Sequence, residues 1–163
     1  MELWTGGGLG VNGSTAGTGV WNIGVRYGWV LTDQHGPGLV RGRLEYAADL
    51  VPVFLVFQPA GTAYGFGLDP IALKWNFEEQ HHISPYFEAF GGTLFTNHPV
   101  PSETSHINFT TGGGVGMTFF RSKHYWGADV RFMHISNAGL TTLNPGINTL
   151  QVRLGFGLFT KKR

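Results

Sequence analysis

At 163 residues the chain has the length of one domain, 1–163. It carries 11 Lys/Arg against 10 Asp/Glu, a formal charge of +1, which excludes the concentrated basic face that nucleic-acid binding requires. It has no cysteine, which excludes a disulfide framework and a thiolate metal site. Charged residues are 13% and aromatics 14%, with 26 glycines. A soluble domain would carry charges at about 25%, so the composition suits a β protein that faces lipid. No stretch approaches the ~18 apolar residues of a membrane-spanning helix.

The hydrophobic period is two throughout, and it predicts eight strands. The first, 2–11, holds Gly6-Gly7-Gly8; no helix and no Lys-Ser/Thr follows, so this is not a phosphate loop. After Asn12-Gly13-Ser14, the second strand, 20–32, sets Trp21, Ile23, Val25, Tyr27, Trp29 and Leu31 on one face and Asn22, Gly24, Arg26 and Gly28 on the other. His35-Gly36-Pro37-Gly38 leads to the third, 39–58, where Val40, Leu44, Tyr46 and Leu50 oppose Arg41, Arg43, Glu45 and Asp49.

Pro59-Ala60-Gly61 opens the fourth strand, 62–77; Pro52 and Pro70 fall inside strand candidates and mark bulges or strand ends. Glu78-Glu79-Gln80-His81-His82 reads as a solvated turn rather than a metal site, because adjacent side chains diverge. The fifth strand, 83–96, points Glu88 inward as an ion-pair partner, and Asn97-His98-Pro99 ends it. The sixth, 107–120, has Gly112, Gly114 and Gly116 on its polar face. In the seventh, 124–136, Trp126, Ala128, Val130 and Phe132 oppose Asp129 and Arg131. Asn144-Pro145-Gly146 precedes the eighth, 148–160, in which Leu150, Val152, Leu154, Phe156 and Leu158 oppose Gln151 and Arg153. The chain closes on the short basic end Thr160-Lys161-Lys162-Arg163.

This alternation fits a soluble barrel with an apolar interior, a soluble β-sandwich, or a membrane barrel, which is inverted. Side-chain size favours the last. Eight strands enclose a narrow interior that cannot hold Trp21, Tyr27, Trp29, Tyr46, Trp126, Phe132 and Phe156 together. It can hold glycines and a mixed set of charges, with Arg26, Arg41, Arg43, Lys74, Arg131 and Arg153 meeting Glu45, Asp49, Glu88 and Asp129 as the pairs that burial demands. The expected fold is therefore all-β, an eight-stranded antiparallel up-and-down transmembrane barrel. Trp4, Trp21, Trp29, Tyr125, Trp126 and Phe159, near strand ends, would form its interfacial girdles. Such a barrel is exported, yet no signal-peptide pattern opens these residues.

With eight strands both termini lie at the periplasmic end, and the segment from Asn137 to Ile147 joins strands seven and eight at the outer end. There the sequence reads His134-Ile135-Ser136-Asn137-Ala138-Gly139. His134 and Ser136 share the parity of Val130 and Phe132, so both point to lipid; Asn148 has the parity of Leu150 and is a cross-strand neighbour candidate for His134. A serine needs a base to become nucleophilic. An imidazole serves near neutral pH, and a third group normally fixes its tautomer, here the Asn148 side-chain oxygen. Asn137, Gly139 and Asn144 are candidates for the oxyanion region. On spacing alone the signal is weak, since an interfacial strand end with ordinary turn residues gives the same letters.

His134-x-Ser136-Asn137-Ala138, followed by Asn144-Pro145-Gly146 and a final apolar strand, resembles the signature of the PagL-type lipid A 3-O-deacylases. The resemblance covers roughly the last 30 residues. It implies an outer-membrane barrel with a Ser-His-Glu triad on its outer surface, with Ser136 as nucleophile and His134 as base. The glutamate position is filled here by Asn148.

The expectation is a carboxylic ester hydrolase of the bacterial outer membrane acting on lipopolysaccharide. It would need no metal or organic cofactor. Val130, Phe132, Leu150 and Val152 would face the acyl chain. Its partners are lipid A and outer-membrane lipids, and the apolar exterior leaves room for a homodimer. The rival reading keeps the scaffold without catalysis, as a structural or partner-binding barrel.

Overall fold

The computed structural model describes residues 1–14 and 16–158; Phe159, expected in a girdle, and the basic end 160–163 lie outside the described residues. Eight strands are present: β1 (Glu2–Gly10), β2 (Gly19–Val30), β3 (Gly42–Gln58), β4 (Gly61–Phe77), β5 (Ile83–Thr96), β6 (Ile107–Arg121), β7 (His124–Ser136) and β8 (Ile147–Leu158). Each pairs antiparallel with its sequence neighbour, and β1 closes on β8. Among the described residues, closure leaves no unpaired sheet edge. Pro52 and Pro70, which cannot donate to a ladder, coincide with register shifts at Val51/Phe54 and Leu68/Ile71.

The barrel is inverted, as expected: Leu50, Val130, Phe132, Leu150, Val152 and Leu154 are exposed on the outside. The lumen holds a charge network at mid-height. Arg26 donates to both Asp49 oxygens, at 3.0 and 2.7 Å, and also pairs with Glu88. Glu88 accepts from Arg131 at 3.0 Å, and Asp129 accepts from Arg131 at 2.8 Å, Arg153 at 2.7 Å and the Tyr86 hydroxyl at 2.7 Å. Arg26, Asp49, Glu88, Asp129, Arg131 and Arg153 each have an opposite partner, which makes their burial tolerable.

The interior also has an apolar layer, which alternation alone did not assign to the lumen. Phe54, Val56, Leu94, Val100, Met133, Ile135 and Ile147 are buried together. They lie toward the end carrying the 11–18, 59–60, 97–106 and 137–146 loops, the end opposite the chain terminus Met1, and they seal the lumen beneath those loops.

Three assignments change. Trp4 is not in a girdle. It shares the parity of Glu2, is buried, and donates its indole N–H to Asp49 at 2.8 Å. Gly24 leaves it space: a β-carbon there would lie 2.3 Å from the Trp4 ring. Tyr125 also has lumenal parity and lines a cavity of about 120 Å³ with Arg43, Glu45 and Lys74. Arg41 is outside the lumen, because residues Gly38–Val40 form a 3-10 turn before β3 begins. It is exposed and pairs with Glu78 at 3.4 Å. Asp69, not named from the sequence, is a further lumenal acid and accepts from the Thr110 hydroxyl at 2.8 Å.

Candidate active site

The β7–β8 hairpin sets His134 directly opposite Asn148. Both are half-buried on the outer wall, one rung above the exposed Phe132–Leu150 pair and two above the ladder position Val130–Val152 in steps of two residues. The four residues expected to face an acyl chain thus form a continuous apolar track that begins under the site. With ~3.4 Å per residue along a strand, the track runs about 14 Å down the wall.

His134 Nδ1 lies 2.7 Å from Asn148 Oδ1. The roles in this bond follow from the other end of the amide. Asn148 Nδ2 donates to the Asn12 carbonyl at 2.9 Å, and a carbonyl oxygen only accepts. The amide is therefore oriented with its oxygen toward His134. That oxygen also only accepts, so Nδ1 carries the hydrogen and Nε2 keeps the basic lone pair.

The backbone of Asn148 is held just as firmly. Its N–H donates to Ser14 Oγ at 2.7 Å, and Ser14 Oγ donates to its carbonyl at 2.6 Å. Asn12 and Ser14 belong to the loop between β1 and β2, more than 130 residues away in sequence. In the local pattern they carry only turn chemistry, since barrel closure is what brings that loop to β8. Gly146, at φ +70, lies against the imidazole.

Ser136 ends β7 and is half-buried, on the same face as His134, with Phe109 of β6 as its ladder partner. Among the described residues its hydroxyl makes no hydrogen bond, with His134 or otherwise. Nucleophile–base contacts are commonly long until substrate tightens them.

Asn137 is fully buried and organises the loop that follows. Its Nδ2 donates to Thr141 Oγ1 at 2.7 Å and to the Leu143 carbonyl at 2.8 Å, and its Oδ1 accepts from the Gly139 N–H at 2.8 Å. The side-chain amide of Asn137 and the N–H of Gly139 are thus engaged within the loop. Asn144 is exposed; its Oδ1 accepts from the Asn137 backbone N–H at 3.1 Å, which leaves its Nδ2 as the available donor of the three.

The loops at this end are nearly uncharged. Residues 11–18, 59–60, 97–106 and 137–146 contain no Lys or Arg; their ionisable side chains are Glu103, His98 and His106. Among the described residues no cluster of three or more His, Asp or Glu could hold a metal ion. His81 and His82 fall in the turn between β4 and β5 at the other end, where His82 lies 3.5 Å from Glu79.

The barrel as a whole has counterparts among known proteins. A solved structure described as the outer membrane enzyme PagL superposes with a TM-score of 0.75, covering 95% of this chain and 98% of that one. At 19% identity that likeness speaks for the shared barrel fold. No curated protein matches the chain. The profile of the family described as "Lipid A 3-O-deacylase (PagL)" matches residues 6–157, nearly the whole barrel. The chain belongs to the lipid A 3-O-deacylase (PagL) family.

Proposed function

We propose that this barrel is a serine esterase of the bacterial outer membrane that removes an acyl chain from lipid A. Ser136 is the nucleophile, His134 the general base and Asn148 the group that orients it. The observation that carries the reading is the His134–Asn148 hydrogen bond, because it turns a basic Nε2 outward on a face shared with Ser136.

The reaction runs in two steps. Ser136 Oγ attacks the ester carbonyl while Nε2 of His134 takes the hydroxyl proton. The tetrahedral oxyanion is met by donors near the β7–β8 loop, with Asn144 Nδ2 the available side-chain amide. Collapse breaks the ester C–O bond, and His134 returns the proton to the departing sugar oxygen. Water then attacks the acyl-serine with His134 again as base, releasing the fatty acid. The lipid reaches the site by lateral diffusion in the outer leaflet. The bilayer and the Val130, Phe132, Leu150 and Val152 track hold the acyl chain, so no closed pocket is needed.

Asn148 stands where the family resemblance expects a carboxylate. An amide stabilises the imidazolium less than a charge would. This is the feature that favours the rival, a non-catalytic barrel with a structural or partner-binding role. The test is expression in lipopolysaccharide-containing membranes with mass analysis of lipid A. Product lighter by one acyl chain from the wild type, and none from Ser136→Ala, is the expected result. A folded wild type that leaves lipid A intact would sink the esterase reading and select the rival.

A further inference from the structure

An asparagine in the orienting position has a problem that a carboxylate does not. Its two ends differ: turned by 180° it would present N–H groups to His134 Nδ1, favouring the tautomer that puts the hydrogen on Nε2 and removes the base. We propose that the loop between β1 and β2 is part of the active site, with Asn12 and Ser14 as positioning residues that select the productive orientation of Asn148. The proposal rests on the esterase reading for its consequence, although the tautomer it predicts exists with or without catalysis.

Two independent contacts support it. The Asn12 carbonyl, 2.9 Å from Asn148 Nδ2, accepts only, so it rejects the flipped amide, which would set oxygen against oxygen. Ser14 Oγ makes a reciprocal pair with the Asn148 backbone, accepting at 2.7 Å and donating at 2.6 Å, which fixes where the side chain starts. Val11 N–H donates a second bond to the same Asn148 carbonyl at 2.9 Å. Gly13 permits the close approach. It sits at φ +90, and a β-carbon on it would be 2.9 Å from Asn148 Nδ2. An alanine there disturbs the Asn12–Gly13 peptide and its carbonyl without touching substrate, Ser136 or His134.

The distinguishing test exploits the symmetry of a carboxylate, which presents an oxygen to His134 whichever way it turns. Gly13→Ala and Ser14→Ala are each made in the wild type and in Asn148→Asp. In the wild-type background each lowers kcat about 10-fold with KM within about two-fold, since orientation of the base and not substrate binding is disturbed. In the Asn148→Asp background Gly13→Ala costs no more than about two-fold, whereas Ser14→Ala, which shifts the backbone beneath either side chain, costs about the same as in the wild type. Equal losses from Gly13→Ala in both backgrounds would reduce the loop to a structural support and overturn the proposal.

A second readout needs no turnover. In barrels labelled with ¹⁵N-histidine, with His134→Gln to assign the signal, neutral His134 shows the Nδ1–H tautomer in the wild type. Gly13→Ala shifts it toward a mixture. A wild-type Nε2–H tautomer, or a tautomer unmoved by Gly13→Ala, would refute the positioning role. Absence of lipid A deacylation in the wild type would instead count against the esterase reading alone.

Discussion

Gly146 packs so closely on His134 that a β-carbon at position 146 would lie 2.7 Å from the imidazole Cε1 and 3.4 Å from Nε2. The backbone there is left-handed, at φ +70, which favours glycine. The turn before β8 therefore determines how near the chain passes to the nitrogen that would act as base. Asn144-Pro145-Gly146 thus sits beside the candidate base as well as closing a hairpin.

Gly146→Ala is accordingly expected to impair the site more than the barrel. The left-handed backbone costs an alanine about 1–2 kcal/mol, and its methyl displaces the His134 ring. Deacylation should fall at least about 10-fold, the order expected when a general base is misplaced, while the barrel still folds. Activity within two-fold of wild type, with folding shown by resistance to denaturation in detergent, would contradict this.

Asn148→Ala removes the orienting group and leaves the His134 ring without its Nδ1 partner. Turnover should drop about 10-fold or more, because orientation of a base is a substantial part of its effect. Asn148→Glu should keep or raise activity, since a carboxylate stabilises the imidazolium. A total loss in Asn148→Glu would show that the amide itself is required.

Glu88 joins Arg26, Arg131 and Arg153 in the lumen. Removing it in Glu88→Ala leaves several guanidinium charges with fewer partners in a buried site, a change that costs about 3–5 kcal/mol. The expected result is a lower midpoint in urea-driven unfolding from lipid vesicles. An unchanged midpoint would mean that water enters the lumen and screens these charges. The 120 Å³ cavity beside Arg26, Arg43 and Lys74 marks where it would enter.

The loops at the site end contain no Lys or Arg. A headgroup phosphate therefore finds no fixed cation there to pair with, and recognition falls to neutral hydrogen-bonding groups and the apolar track. Bisphosphorylated and monophosphorylated lipid A in mixed micelles should have kcat/KM values within about three-fold of each other, less than one charge-assisted contact would give. A preference of 30-fold or more for the bisphosphorylated form would overturn this.

The periodicity of the chain determined much of this protein by itself. Strand parity fixes which side chains face outward, because the side-chain period in a strand is two. The size of the outward set, with Trp21, Trp29 and Phe132 in it, identifies that face as the outer one. The same parity put His134, Ser136 and Asn148 on the lipid-facing wall of one hairpin. Trp4, Tyr125 and Arg41 went astray where position near a strand end was read in place of parity, or where a strand was begun too early. Closure of the barrel decided the rest. It brings Asn12 and Ser14 of the first loop onto Asn148 at the start of the last strand. The orientation of that amide, and with it the nitrogen of His134 left basic, depends on a contact across more than 130 residues. Local pattern carries no trace of such a contact, because hydrogen-bond direction is set by which groups the fold brings within 3 Å of one another.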